Sequence, residues 1–291
     1  MGDSRRIGIV GGSGLYKLPG IEIISRERVD TPFGEPNDSY VIGRLMDREV
    51  IFLSRHGEGH RVVASGVNFR ANVYGFKALG AGTLIGVSAV GSLREELAPR
   101  QMIVPDQMID LTRRRENTFF EDNPAVHVSM ADPTCPALGR ALYDSAASLG
   151  VPARLGGTYV CMEGPAFSTR AESNLYRTWG ADVIGMTAAT EAKLCREAEI
   201  CYAPLALVTD YDVWRENTDD VSIDLIIETV RRNAETAAEV VKKTILGMPD
   251  LEGCACRRAL ATAIGTDPGS VPDVTRTRLR VLLAKYLPPG E

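Results

Sequence analysis

A chain of 291 residues with a formal net charge of −5 lacks the basic footprint that a phosphate backbone demands, which argues against a nucleic-acid binder. Hydrophobic residues at 44% and charged residues at 24% suit a globular protein with a large core, and no apolar run approaches the ~20 residues that cross a bilayer as a helix. The first residues pass almost at once into a strand pattern, without the apolar stretch of a signal peptide, so the expectation is a soluble, cytoplasmic protein with no membrane partner.

The first predicted strand, RIGIVGG (6–12), runs into Ser13 and Gly14. No Gly-Lys-Ser/Thr follows, so this is no P-loop. Lys17 stands where a GxGxxG fingerprint needs its last glycine, which disfavours an NAD-dependent oxidoreductase. What remains is a small glycine turn, either a plain tight turn or one whose N–H groups and Ser13 hydroxyl surround a free anion. The next strand, EVIFLSRHG (49–57), leads to Arg55, His56 and His60. An Arg beside a His where the chain leaves a sheet suits an oxyanion; an ordinary polar loop reads equally well.

A helical pattern follows in NFRANVYGFKALGA (68–81), then a long strand, AGTLIGVSAVGS (81–92), carrying Ser88, Ala89 and Gly91 near its end. After the strand-like QMIVPDQMID (101–110), the basic run Arg113 to Arg115 reads as a solvated face. CPALGRALYDSAASLG (135–150) spaces apolar residues at three and four as far as Gly150, a helix with a glycine stop. GTYVCMEGP (157–165) predicts a strand leading to Glu163, Phe167, Ser168 and Thr169, and ADVIGMT (181–187) one ending at Met186 and Thr187. TRAESNLYRTWGA (169–181) and TEAKLCREAEI (190–200) are helical. The strand YAPLALVTDYD (202–212) then ends on two acids, Asp210 and Asp212. Strand alternation would put both on one face with Tyr211 on the other; they are either turn residues or a pair of acids meeting a ligand.

SIDLIIETVRRNAETAAEVVKKTIL (222–246) is the clearest amphipathic helix, with Ser222 or Asp224 as its N-cap. Strands alternating with helices predict an α/β fold: one domain, residues 1–251, with a mixed, mostly parallel central sheet flanked by helices. Residues 252–291 form a short C-terminal helical tail, with helical patterns in CRRALATAI (256–264) and TRTRLRVLLAKYL (275–287). It reads as an appendage, being too small to hold itself together. The six cysteines (135, 161, 195, 201, 254 and 256) match no zinc spacing, since Cys254 and Cys256 lack a second pair, and no metal is expected. Free thiols are the expectation for a cytoplasm; in a thermophile, disulfides or exchange chemistry at the CxC would enter.

Open α/β sheets bind ligands beyond the carboxyl ends of their strands. Hydroxyls, an aromatic, a Met, a Glu and two Asp on one such rim are the content of a pocket for phosphate, a sugar and a flat heterocycle.

IGIVGGSGLY, RHGEGH, VNFRANVYGFKALGA, SAVGSLREEL, EGPAFSTRAES, TWGADVIGMT and VTDYDVW, in this order, resemble the trimeric purine nucleoside phosphorylases, and within them the 5′-methylthioadenosine phosphorylases. The resemblance spans roughly Arg6 to Leu246. It implies phosphorolysis of 5′-methylthioadenosine to adenine and 5-methylthioribose 1-phosphate, with inorganic phosphate as co-substrate and no cofactor. A broader purine nucleoside phosphorylase taking adenosine or inosine is the near alternative, and a catalytically silent purine binder a more distant one. By the resemblance Ser13, Arg55, His56, Ser88 and Thr187 hold phosphate, Met186 lies against the ribose, and Ala89 walls sugar from base. Phe167 stacks on the purine, with Ser168 and Thr209 lining the base site. Asp210 faces N7 and the 6-amino group, with Asp212 assisting; relatives that take 6-oxopurines usually carry Asn at the Asp210 position. Ile223, Ile226 and Ile227, which core packing alone would also explain, line the pocket for the 5′ group. His127 reaches in from a neighbouring subunit, which implies a homotrimer, or a dimer of trimers. Thr190 departs from the family's Pro, and Ser88 stands where some relatives have Thr.

Overall fold

The computed structural model describes residues 6–12, 20–215 and 223–288, with only the helical backbone for 223–232. The strands are β1 (Arg6–Gly11), β2 (Glu22–Glu27), β3 (Tyr40–Leu45), β4 (Arg48–Ser54), β5 (Ala81–Ser92), β6 (Met102–Val104), β7 (Gln107–Asp110), β8 (Ala153–Leu155), β9 (Thr158–Cys161), β10 (Val183–Gly185) and β11 (Cys201–Asp210). The α-helices are α1 (Phe69–Ala78), α2 (Pro136–Ser148), α3 (Arg170–Thr178), α4 (Ala188–Glu197), α5 (Ile223–Leu246), α6 (Asp273–Arg278) and α7 (Arg280–Leu283).

One mixed, mostly parallel sheet runs in the order β2-β3-β4-β1-β5-β10-β9-β7, and β5 also branches to β11, which continues through β6 to β8. The branch is the organising feature. β5 pairs in parallel with β1 on one edge and β11 on the other, then turns its last residues onto β10. Both central strands are β-branched and apolar because they are covered on both faces: β11 is buried at every position. β5 is buried from Ala81 to Val87 and half-buried at Ser88 and Ala89, where the sheet opens.

Local signals set the helix ends. Asn68 caps α1 by accepting the Ala71 N–H, and Thr169 with Glu172 forms a reciprocal capping box on α3. α2 stops at Leu149, followed by Gly150 with φ of 68°, the left-handed stop expected there. Ser222 lies outside the described residues. Asp224 falls inside α5, so it is not the N-cap.

The tail differs from its helical pattern. CRRALATAI forms only a 3₁₀ turn over Ala255–Arg258, then turns and a bridge between Ile264 and Val126. The Leu260 N–H goes to Glu199 Oε1 at 3.1 Å, which takes a donor that an α-helix would need for its own ladder. The second pattern is split at Leu279, with φ −102° and ψ 16°, into α6 and α7. Leu260, Ala263, Val271, Leu279, Leu282 and Leu283 are nonetheless buried in one cluster with Phe69, Val73 and Phe76 of α1. The tail thus contributes to the same core as α1.

Candidate active site

The two acids sit where β11 leaves the sheet. Asp210 pairs across from Gly91 of β5 after a register shift, and a Cβ at Gly91 would lie 3.1 Å from Asp210 Oδ1 and 3.2 Å from the Asp212 Cβ. A side chain at Gly91 would make the acids and Ile184 give way by a few tenths of an ångström. They meet through a turn rather than by strand alternation: β11 ends at Asp210, and Asp212 has φ of 50°, so its N–H folds back onto Asp210 Oδ1 at 2.7 Å. Both are buried, at 7% and 6% exposed. Burial raises both carboxyl groups above the usual Asp range, and the charge of Asp210 adds to the effect at Asp212. Asp212 Oδ2 is buried with no hydrogen-bond partner among the described residues.

The Thr209 hydroxyl lies 2.6 Å from Asp210 Oδ2, to which it donates, and 3.2 Å from the Val90 carbonyl. That bond and the Asp212 N–H favour the carboxylate and partly offset the upward push of burial on Asp210.

Arg55, at the end of β4, is buried. Nε faces Glu191 Oε1, Nη2 donates to Oε2 at 3.2 Å and to the Val10 carbonyl at 3.3 Å, and Nη1 donates to the Val87 carbonyl at 2.9 Å. Of its five N–H donors these contacts leave one, on Nη1. Arg55 is thus a fixed cation held behind the rim, its Nη1 bonded one residue before Ser88. The Tyr202 hydroxyl donates to Glu191 Oε2 at 2.8 Å, and a Cβ at Gly86 would come within 2.6 Å of that hydroxyl. Glu191 was not picked out by sequence reasoning. Its signal was a carboxylate one turn into a helix with Ala188, Ala189 and Ala192 on its buried side.

His56 differs from the donor expected of it. Nδ1 lies 2.8 Å from the Val62 carbonyl, an acceptor only, so the ring proton is on Nδ1. Burial, then the Arg55 charge, lowers the imidazole to about 4. The neutral ring presents Nε2 as an acceptor, fit to take a hydrogen bond from the P–OH of a phosphate. His60 stacks on it at 4.2 Å between ring centroids.

Thr187 occupies the N-cap of α4 without making a cap bond, and its buried hydroxyl has no partner among the described residues. A free hydroxyl at the start of a ten-residue helix is a ready anion site. The Met186 carbonyl beside it accepts from Arg115 Nη1, which also lies 3.4 Å from Thr190. The solvated-face reading of this run holds for Arg113 and Arg114, which are exposed, and fails at Arg115. Its side chain is 2% exposed, Nε pairs with Glu163 Oε1 at 3.0 Å, and Nη2 donates to the Glu163 carbonyl at 2.6 Å. Glu163 also accepts the Arg113 and Arg114 N–H groups, so the run wraps a carboxylate at the site. Ser168 is buried and Phe167 is 41% exposed at the mouth; Ala89 is half-buried on β5.

Ser13 lies outside the described residues, as do the side chains of Ile223, Ile226 and Ile227, which open α5. His127 is exposed, and its N–H donates to the Ala263 carbonyl of the tail at 2.9 Å. No second cysteine pair follows Cys254 and Cys256 in the sequence, yet the fold brings Cys135 and Cys201 beside them.

The ends of these α/β strands thus gather a caged Arg, a neutral His, a hydroxyl at a helix start and two raised carboxyl groups, the makings of an enzyme site that holds an anion beside a proton donor. Residues 6–246 match the profile of the Phosphorylase superfamily. The chain is 51% identical over 280 residues to the S-methyl-5′-thioadenosine phosphorylase of Koribacter versatilis, covering 96% of each chain. Among solved structures it is similar to a methylthioadenosine phosphorylase from an Antarctic soil metagenomic library, with a TM-score of 0.89 and 44% identity over 97% of this chain and 99% of that one. It is also similar to a mutant adenosine/methylthioadenosine phosphorylase from Schistosoma mansoni in complex with methylthioadenosine, with a TM-score of 0.84 and 32% identity over 89% and 98%. The chain belongs to the phosphorylase superfamily and, within it, to the S-methyl-5′-thioadenosine phosphorylase family.

Proposed function

We propose that this protein catalyses the phosphorolysis of 5′-methylthioadenosine to adenine and 5-methylthioribose 1-phosphate, serving purine and methionine salvage in the cytoplasm. The observation that carries the reading is the buried Asp210–Asp212 pair with its raised carboxyl groups. Breaking the bond from C1′ to N9 leaves the purine as an anion unless N7 is protonated, and a neutral Asp210 supplies that proton near neutral pH. Its other oxygen accepts from a 6-amino group, which favours adenine. Phosphate attacks C1′ from the opposite face, held by Ser13, Ser88, Thr187 and the α4 N-terminus, with Arg55 as the fixed positive charge behind it. His56 accepts a hydrogen bond from a P–OH group of the phosphate. Met186 and Ala89 border the sugar, Phe167 stacks on the base beside Ser168 and Thr209, and Ile223, Ile226 and Ile227 face the methylthio group. The active unit is a homotrimer in which His127 serves a neighbour's site.

Adenine release from 5′-methylthioadenosine, followed with and without phosphate and with inosine in parallel, tests the reading. Phosphate-dependent adenine with little hypoxanthine from inosine is expected. Faster inosine cleavage would transfer the assignment to a broader purine nucleoside phosphorylase.

A further inference from the structure

Four cysteines remote from the rim form a second constellation. The sulfur atoms of Cys135, Cys201, Cys254 and Cys256 all lie within 4.8 Å of one another. Cys135 immediately precedes α2, Cys201 opens β11, and Cys254 and Cys256 stand at the 3₁₀ turn of the tail. The Cys135 N–H donates to the Tyr202 carbonyl at 2.7 Å, which locks the entry of α2 to the start of β11. All four are free thiols, three buried and Cys254 half-buried.

The spacing is that of a coordination shell. Four sulfurs at about 2.3 Å from a tetrahedral metal are about 3.8 Å from one another, and Cys135 Sγ to Cys254 Sγ is 3.7 Å. A disulfide closes to about 2.05 Å and uses only two of the four.

We propose that Cys135, Cys201, Cys254 and Cys256 form a closed tetrathiolate site for one zinc-type divalent cation, which fastens the C-terminal tail to the sheet. Each thiol gives up its proton as its sulfur binds, leaving a doubly negative metal–tetrathiolate unit and no oxidation of sulfur. Four protein ligands leave no open position, so the metal is structural. Its position agrees. Cys201 and Asp210 are the two ends of β11, a ten-residue strand about 30 Å long, so the metal sits far from the reacting atoms. Through Ala263 and Ile264 the fastened tail holds Val126 and His127.

The test is metal analysis of the full chain purified with a reductant and no chelator. About one zinc per chain is expected, released as the thiols are titrated with an organomercurial. Replacement by Co²⁺ should give the thiolate-to-cobalt charge-transfer band of a tetrahedral site. Cys254→Ser should lose the metal and make the tail protease-sensitive, whereas Cys195→Ala, outside the cluster, should keep it. A wild-type chain that takes up neither Zn²⁺ nor Co²⁺ on reconstitution would overturn the proposal, as would an intact mass showing a disulfide among these four; neither depends on a variant folding.

Discussion

In the proposed reaction Asp210 sets both the chemistry and the preference for the base, one oxygen meeting N7 and the other the 6-amino group. Asp210→Asn removes the proton donor and replaces an acceptor with a donor, a mismatch of a few kcal/mol. We expect kcat/KM for 5′-methylthioadenosine to fall by ~100-fold or more, with inosine losing far less; equal losses on the two substrates would show that Asp210 does not read the base. Glu191 acts differently. It neutralises an Arg55 that has no access to water, so Glu191→Gln should destabilise the protein by about 3–5 kcal/mol in denaturant unfolding. A change under about 1 kcal/mol would mean that the pair is dispensable to the fold. Arg55 and His56 were legible in the sequence because they follow a strand pattern directly, and Thr187 for the same reason. Glu191 and Arg115 were not. A charged residue in a helix or a basic run looks solvated until the partner that buries it is known, and those partners, Arg55 and Glu163, are 136 and 48 residues away.

At the scale of elements, the site is a consequence of how β5 and β11 lie against each other. Gly91 lets the two backbones close up beneath the acids, so Gly91→Ala should push Asp210 aside and lower kcat/KM at least ~10-fold, while unfolding changes by only about 1–2 kcal/mol. Unaltered kinetics would show that the acids do not depend on that contact. The strands themselves, and α1 to α4, were readable from apolar spacing. The turn that joins the acids was not, since alternation along a strand predicts the same proximity by a different geometry. α4 also carries a pH-sensitive group at its far end. Glu197 accepts the Phe119 N–H at 2.8 Å and the Thr118 hydroxyl at 2.7 Å, and burial raises it from 4.5 to about 7. A raised carboxyl favours the folded state while protonated, so its contribution is full below pH 4.5 and is lost as pH rises through 7, by up to about 1.4 kcal/mol per pH unit. His56 works in the opposite sense: lowered from 6.5 to about 4, it costs stability as pH falls across that window. Glu197→Gln should therefore gain melting temperature at about pH 8 relative to wild type and gain little at about pH 5; an equal change at both would contradict the assignment.

At the scale of the whole molecule, the C-terminal residues are where the sequence pattern misled most. The second apolar pattern does form α6 and α7, but Glu199 and the α1 surface draw CRRALATAI into turns that share the core. The consequence reaches the exposed His127, held against the tail. If His127 completes a neighbour's site, Asp210→Asn and His127→Ala chains mixed and reassembled should recover activity that neither possesses alone, because one site in a mixed trimer regains both residues. Mixing without recovery would place His127 outside catalysis.

Phosphorolysis ends with phosphate bonded to the sugar. Phosphorus NMR of a reaction run to completion with 5′-methylthioadenosine is the direct measurement. It should show inorganic phosphate converted to a sugar 1-phosphate in equal amount to the adenine released. Adenine released with the phosphate signal unchanged would make the protein a hydrolase and overturn the proposed reaction.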